Sequence, residues 1–363
     1  MDRVVYLHVG APKTGTTYLQ DRLALNRNEL ARHGVHYPLG LRASQFRPAL
    51  DLIDMPWGGQ REDVEGEWDA LMGRVRRHSG TVIVSHEILA GAKPAQISRA
   101  MQDLANSEVH LVYSARDLAR QIPAEWQEGL KHRRRRGFAG FLKTVQRSRR
   151  RNSGLWFWRV QSLPDVLTRW GRGLPPERVH LVTVPQSGAP RDLLWQRYCR
   201  TFGIAPAWAP EESARENVSL GTAESTLLRR FNRRLKEAGL PSDEYRLLVR
   251  ELVVHQTLAQ RPNMTRVTLP PAAFPWATEM AEEWIDYVKG AGIQVVGDLD
   301  DLRPIPPAKD EVWENPDRPR RPEMLDAALD AMVALALEAA KRPDPEEQIT
   351  AKLGRAARRL RRL

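Results

Sequence analysis

One cysteine, Cys199, stands among 363 residues. A disulfide within the chain is therefore impossible, and so is a zinc site built on cysteines. No stretch approaches the roughly 18 apolar residues of a membrane-spanning helix. Met1 leads directly into a strand-like segment, without an apolar leader. These absences make a soluble protein of a reducing, cytoplasmic compartment the expectation. No segment recurs at a fixed period, which excludes solenoids and propellers. His8, His33 and His36 are not spaced as metal ligands, and no metal is expected. Acidic side chains are also in deficit: 45 Asp and Glu face 56 Lys and Arg, for a net charge of +11. Such a surface favours anions such as nucleotides, sulfated small molecules, acidic glycans, nucleic acid or anionic lipid, and charge alone does not choose among them.

The positive charge is clustered. Lys131–Arg136 reads KHRRRR, Arg147–Arg151 reads RSRRR, and five Arg fall in the last nine residues. The ordinary use of such runs is a solvated face or tail. With 42% hydrophobic residues, the chain can bury one α/β core with added helices, or a core and a small C-terminal module.

Residues 3–9 (RVVYLHV) form a short apolar run closed by Gly10, as a buried strand requires. Leu19, Leu23 and Leu30 give 16–33 helical spacing up to Gly34. Helices are expected at 69–78, 95–106 and 117–131, the last with a kink or late start at Pro123. Strands are expected at 81–85, 109–114 and 179–184. Alternation of this kind predicts an α/β fold, a parallel sheet flanked by helices, with ligands beyond the carboxyl ends of the strands. Further helices are expected at 223–238, 243–259 and 277–289, then a short strand at IQVV. Residues 303–322 read as a Pro-rich linker between an α/β domain over 1–302 and a helical, basic extension over 323–363.

The loop after the first strand reads GAPKTGTT. Gly10 and Gly15 let the backbone approach a ligand, and the helix that follows presents free N–H groups and its positive dipole end. Thr16 and Thr17 add hydroxyls and Lys13 adds a full charge. Together they suit a phosphate or sulfate. The loop is not a Walker A motif: Gly10 and Gly15 have the right separation, but Thr16 occupies the position of the lysine. No strand ends in a clear magnesium-binding Asp either.

HVGAPKTGTTYLQ closely resembles the 5′-phosphosulfate loop of sulfotransferases that use 3′-phosphoadenosine 5′-phosphosulfate (PAPS), in their bacterial, actinobacterial-type branch. The segments 112–131, 179–203, Asn217–Gly221 (NVSLG) and Gly297–Leu299 resemble later parts of the same family, so the similarity spans about 3–300. The resemblance implies a P-loop-like sulfotransferase fold, PAPS as donor and its desulfated form PAP as product. Gly10, Pro12, Lys13, Thr14, Gly15, Thr16 and Thr17 would hold the 5′ side of the donor, and Arg116 its 3′-phosphate. The family's Ser eight residues after that Arg is Ala124 here. Thr144, Ser148 and the arginines of 133–136 are the candidates to replace it.

Sulfuryl transfer needs a base to take the acceptor's proton. Ser85-His86-Glu87 follows the strand at 81–85. His86 titrates near neutrality and Glu87 serves if burial raises its pKa, so both stay candidates, Glu87 ahead of His86. The acceptor is a small molecule or a glycan. Trp126, Trp156, Phe157 and Trp158 among arginines suit a polar or anionic acceptor such as a glycan, and equally an RNA or phospholipid contact, although helix packing is the commoner fate of such rings. Nucleic acid is not expected as a partner, and a membrane contact through the tail is less expected than a frayed tail. The alternatives are a non-catalytic nucleotide- or RNA-binding protein that retains the loop, and an ATP-dependent phosphotransferase.

Overall fold

A computed structural model describes residues 3–40, 44–57, 62–148, 154–214, 219–308 and 310–342. Part of the run 147–151, the first two residues of NVSLG and the tail 346–363 lie outside the described residues.

The chain forms β1 (Arg3–His8), α1 (Thr16–Leu25), α2 (Arg27–Arg32), β2 (Val35–His36), α3 (Phe46–Ile53), α4 (Glu67–Val75) and β3 (Gly80–Ser85). Then come α5 (Pro94–Asp103), β4 (Glu108–Ala115), α6 (Leu118–Lys131), α7 (Phe138–Arg147), α8 (Trp156–Gln161), α9 (Leu163–Trp170), β5 (Val179–Thr183) and α10 (Leu193–Phe202). The last elements are α11 (Thr222–Glu237), α12 (Ser242–Glu244) continuing into a wider π-type helix over Tyr245–Thr257, α13 (Phe274–Ala291), β6 (Gln294–Val296) and α14 (Arg321–Ala339).

Contacts group these elements into two compact units. The first comprises 1–128, 136–217 and 268–313 and contains the sheet. Its six strands run in the order β2-β3-β1-β4-β5-β6, every neighbouring pair parallel. This is the parallel, helix-flanked sheet that the strand–helix alternation predicts. Strands covered on both faces must be apolar throughout, and Val5, Leu7, Val82, Ile83, Leu111, Val112, Leu181 and Val182 are all buried. On one face, Ile83, Val112 and Val182 pack with Leu19 and Leu23 of α1 and with Trp195, Tyr198 and Phe202 of α10. On the other, the Tyr113 hydroxyl donates to the Val160 carbonyl of α8 at 2.8 Å. Parallel register sets His8 opposite Ser85 and Val112, so the loops after β1, β3 and β4 leave the sheet at one edge.

Two expectations change. The helix read over 16–33 is broken at Asn26, whose side-chain amide donates to the Arg22 and Glu211 carbonyls, both at 2.8 Å. Local side-chain bonds of this kind compete with helix continuation. Pro123, by contrast, neither delays nor breaks α6.

The second unit comprises 129–135, 218–267 and the described part of 314–363, whereas the sequence alone suggests a boundary at 302/303. Inside this unit Asn232 is buried. It donates to the Leu130 and Arg134 carbonyls at 2.7 and 3.1 Å and accepts from the Tyr245 hydroxyl at 2.8 Å. Asn232→Ala strands those groups and should destabilise the unit by about 1–3 kcal/mol, read as a lower urea midpoint.

Candidate active site

The loop from Gly10 to Gly15 lies across the carboxyl edge of β1. Gly10 has φ 129°, and a Cβ there would meet the Glu87 carbonyl oxygen at 3.0 Å. Only glycine allows the two loops to close on each other. Gly15, at φ 85°, begins α1 without any side-chain cap, so the first N–H groups of that helix remain available to an anion. Lys13 also takes a left-handed conformation, with φ 64°, which is uncommon outside glycine and raises its side chain from the loop. Thr14 faces inward: fully buried, its hydroxyl donates to the Ala11 carbonyl at 2.6 Å. It therefore braces the loop, and only its backbone is left for a ligand. Thr16 is buried and hydrogen-bonded to Glu87, while Thr17 is half-buried. The Pro12 carbonyl accepts from Gln121 at 2.6 Å and from Gln161 at 3.0 Å, which fixes the crest of the loop.

Beneath the loop lies an imidazole that the sequence reading treated as scattered. His8 is fully buried and bonds the Ser85 hydroxyl at 2.7 Å and the Ser114 hydroxyl at 3.0 Å. Ser114 continues to the Tyr198 hydroxyl at 2.8 Å, and that hydroxyl donates to the Thr14 carbonyl at 3.5 Å. Ends of β3, β1 and β4 are thus tied to α10 and to the loop. Burial pushes the His8 pKa down to about 4, although the Glu87 charge and a hydrogen bond to the Gly10 carbonyl pull it upward.

His86 and Glu87 follow β3, with the His86 Nδ1 3.8 Å from the Glu87 carboxylate. His86 caps a short turn (Glu87–Gly91), its Nδ1 accepting from the Ile88 N–H at 3.3 Å. Its proton therefore sits on Nε2, and burial holds its pKa below the usual value. Glu87 turns toward the phosphate loop and accepts from Gln20 at 3.1 Å. Burial alone would raise its pKa, but His86 and hydrogen bonds from its own backbone, Gln20 and Thr16 outweigh that and hold it below the usual carboxylate value. Its side chain stays 23% exposed, so the carboxylate is ionised and reachable.

Arg116 follows β4, and its Nη1 donates to the Lys13 carbonyl at 3.4 Å. The Lys13 ammonium pairs with Glu128 at 2.5 Å. Gln121, Glu125 and Glu128 are spaced i, i+4 and i+7 along α6, so they share the face turned to the loop. Ala124 is half-buried on the same helix. The Thr144 hydroxyl donates to the Gly140 carbonyl and accepts from Arg136. Asp117 is buried and engaged by the side chain and N–H of Arg120. The structure thus gathers Gly10, Pro12, Lys13, Gly15, Thr16, Glu87 and Arg116 at one edge, engages His86 with the Ile88 N–H beside Glu87 and turns the Thr14 side chain inward. Sequence reasoning missed His8, Gln20, Gln121, Glu128 and Gln161. A buried strand carrying a histidine, in RVVYLHV, is the one signal that could have marked the first.

Among the described residues no group of three or more His, Cys, Asp or Glu could hold a metal ion, and no helix is long and apolar enough to cross a membrane. No family model matches this chain, and no curated protein matches it. Among solved structures it is similar to a sulfotransferase domain from the curacin biosynthetic pathway, with 12% identity and a TM-score of 0.29, over 56% of this chain and 75% of that one.

Neutral His8 has a stability consequence. Its pKa is depressed from 6.5 to about 4, so the unfolded chain binds the extra proton first as pH falls. The associated stability is complete above pH 6.5 and is lost toward pH 4, by about 3 kcal/mol. Thermal melts of the wild type should fall over that window, and His8→Gln should fall less steeply.

Proposed function

We propose that this chain is a sulfotransferase that takes the sulfuryl group of PAPS and passes it to a hydroxyl or amine of a small-molecule or glycan acceptor. The observation that carries this reading is the convergence of Lys13, the uncapped N–H groups of the loop and α1, Arg116 and the ionised Glu87 at one sheet edge. The first three provide for the two phosphate-bearing ends of the donor, and the fourth for the proton of the acceptor.

In the transfer, an acceptor oxygen or nitrogen attacks sulfur while the bond from sulfur to the bridging phosphate oxygen breaks. The proton goes to Glu87, and the leaving nucleotide departs with the electron pair of the broken bond. Lys13 and the loop N–H groups stabilise the charge that grows on the bridging oxygen. His86 is the weaker candidate base, because its unprotonated nitrogen is already engaged by Ile88. An ATP-dependent phosphotransferase is less well supported: the lysine precedes Gly15 instead of following it, and Asp117 is committed to Arg120.

Calorimetry with PAP, beside ATP and magnesium, tests the donor site. PAP should bind the wild type far better than ATP does, and Lys13→Ala and Arg116→Ala should each weaken PAP about tenfold or more, the loss of one charge-assisted contact. Binding of ATP with magnesium, and none of PAP, would overturn the reading. Glu128→Gln should tighten PAP several-fold, since it removes both a competitor for Lys13 and a negative charge beside the anion.

A second measurement concerns the base. A base works when deprotonated, so the rate rises with pH through its pKa. With Glu87 held below its ordinary 4.5, kcat/KM should have its acid limb below pH 4.5 and be flat from there toward neutrality. Glu87→Gln should lower kcat about 10²-fold or more. An acid limb that survives in Glu87→Gln would move the role to a histidine.

A further inference from the structure

Helix α14 has two apolar faces, and one of them is open. Ala327 and Ala331 are buried where the helix packs on α11 and on the helix over Tyr245–Thr257, in the same compact unit. On the opposite face Leu325, Leu329, Met332, Val333 and Leu337 stand between 51% and 65% exposed. Their spacing of i, i+4, i+7, i+8 and i+12 makes one continuous stripe, about 18 Å long. Single apolar residues on a surface are ordinary, whereas a contiguous stripe marks a face that something covers.

Charge narrows what covers it. From Arg321 to Ala339 the helix carries Glu323, Asp326, Asp330 and Glu338 against one Arg. Glu323, Asp326 and Asp330 follow one another at i, i+3 and i+7, so they line one margin of the stripe. Part of that acidity is met within the unit, by Arg320 at Glu323 and by Arg261 at Asp330. Asp326 is exposed. In a two-fold antiparallel pair of α14 helices each margin would meet its own copy, carboxylate against carboxylate. The same margin repels an anionic membrane. The occupant that fits is a second apolar stripe bordered by cations.

This chain carries such a stripe a short way on, outside the described residues. In AKLGRAARRLRRL (351–363), Leu353, Ala356, Ala357, Leu360 and Leu363 recur at i, i+3, i+4, i+7 and i+10, among six Lys and Arg and no acid. α14 ends at Ala339, and Pro343 and Pro345 oppose its continuation. The eleven residues 340–350 span up to about 36 Å when extended, which is enough for 351–363 to return along the stripe. A tether of this length holds the segment at a roughly millimolar effective concentration.

We infer that the open face of α14 is a docking surface for the chain's own residues 351–363. Leu353, Leu360 and Leu363 cover the exposed stripe, and the arginines beside them run along the margin of Glu323, Asp326 and Asp330. This docking does not depend on the chemistry at the sheet edge.

Hydrogen exchange read by mass spectrometry on the full-length chain tests the docking, with a synthetic 351–363 peptide as the unprotected reference. Amides of 351–363 should exchange at least about tenfold more slowly in the protein than in the peptide. Light scattering should find a monomer, and dilution should leave the exchange rate unchanged. Leu329→Asp with Met332→Asp should return the segment to the peptide rate while the urea midpoint holds, because both side chains are exposed. Leu360→Asp should do the same without touching the folded unit. Asp326→Asn with Glu323→Gln should lower the protection about two- to threefold, the scale of exposed charge pairs. Peptide-like exchange in the wild type would overturn the inference, as would protection that neither stripe variant moves. A dimer whose protection falls on dilution would give the face to a second copy, and protection that arises only with phosphatidylserine vesicles would give the segment to a membrane; either result overturns docking within one chain.

Discussion

A neutral imidazole held between two serine hydroxyls sets the geometry of this site. His8 closes β1 and joins Ser85 of β3 to Ser114 of β4. Parallel pairing alone brings the three strand ends to one edge. The polar chain goes further, because Tyr198 carries it from α10 to the Thr14 carbonyl of the loop. A buried polar group without partners is costly, so each member of this chain constrains the others. The loop can then hold Lys13 in a left-handed backbone conformation it would not otherwise favour. Such strain persists only where the surroundings over-determine it.

The same arrangement separates the two neighbours after β3. His86 caps a turn and lies against Phe46, while Glu87 lies over the phosphate loop within reach of Gln20. The two adjacent residues thereby have different partners, His86 the Ile88 N–H and Glu87 the Gln20 amide. On the other side of the loop, Glu128 holds the Lys13 ammonium in place. The loop is thus bordered by carboxylates at Glu87 and Glu128 and by cations at Lys13 and Arg116.

Much of the fold was legible. Short apolar runs alternating with amphipathic ones specify a parallel sheet, because only strands covered on both faces can be apolar throughout. GAPKTGTT was legible as an anion loop because its glycines and its place before a helix are local facts. The break at Asn26 was not, since it depends on the Glu211 carbonyl far along the chain. The inward turn of Thr14 and the pairing of Lys13 with Glu128 were likewise hidden: each depends on partners brought near by packing. Trp126, Phe157 and Trp158 take the helix-packing fate that is the commoner one for such rings. Composition cannot distinguish Trp158 buried in helix packing from Trp156 half-exposed beside the turn.

The sequence by itself determined the element types, the parallel sheet and the glycine-bounded loop between β1 and α1. Each follows from local spacing and residue chemistry. Tertiary structure alone decided that His8 supports the loop, that Glu87 bonds Gln20 while His86 accepts from Ile88, that Lys13 pairs with Glu128, and which aromatic rings are buried. These depend on contacts between residues far apart in the chain, and only packing of the whole sheet with its helices sets the distances at which a hydrogen bond or an ion pair forms.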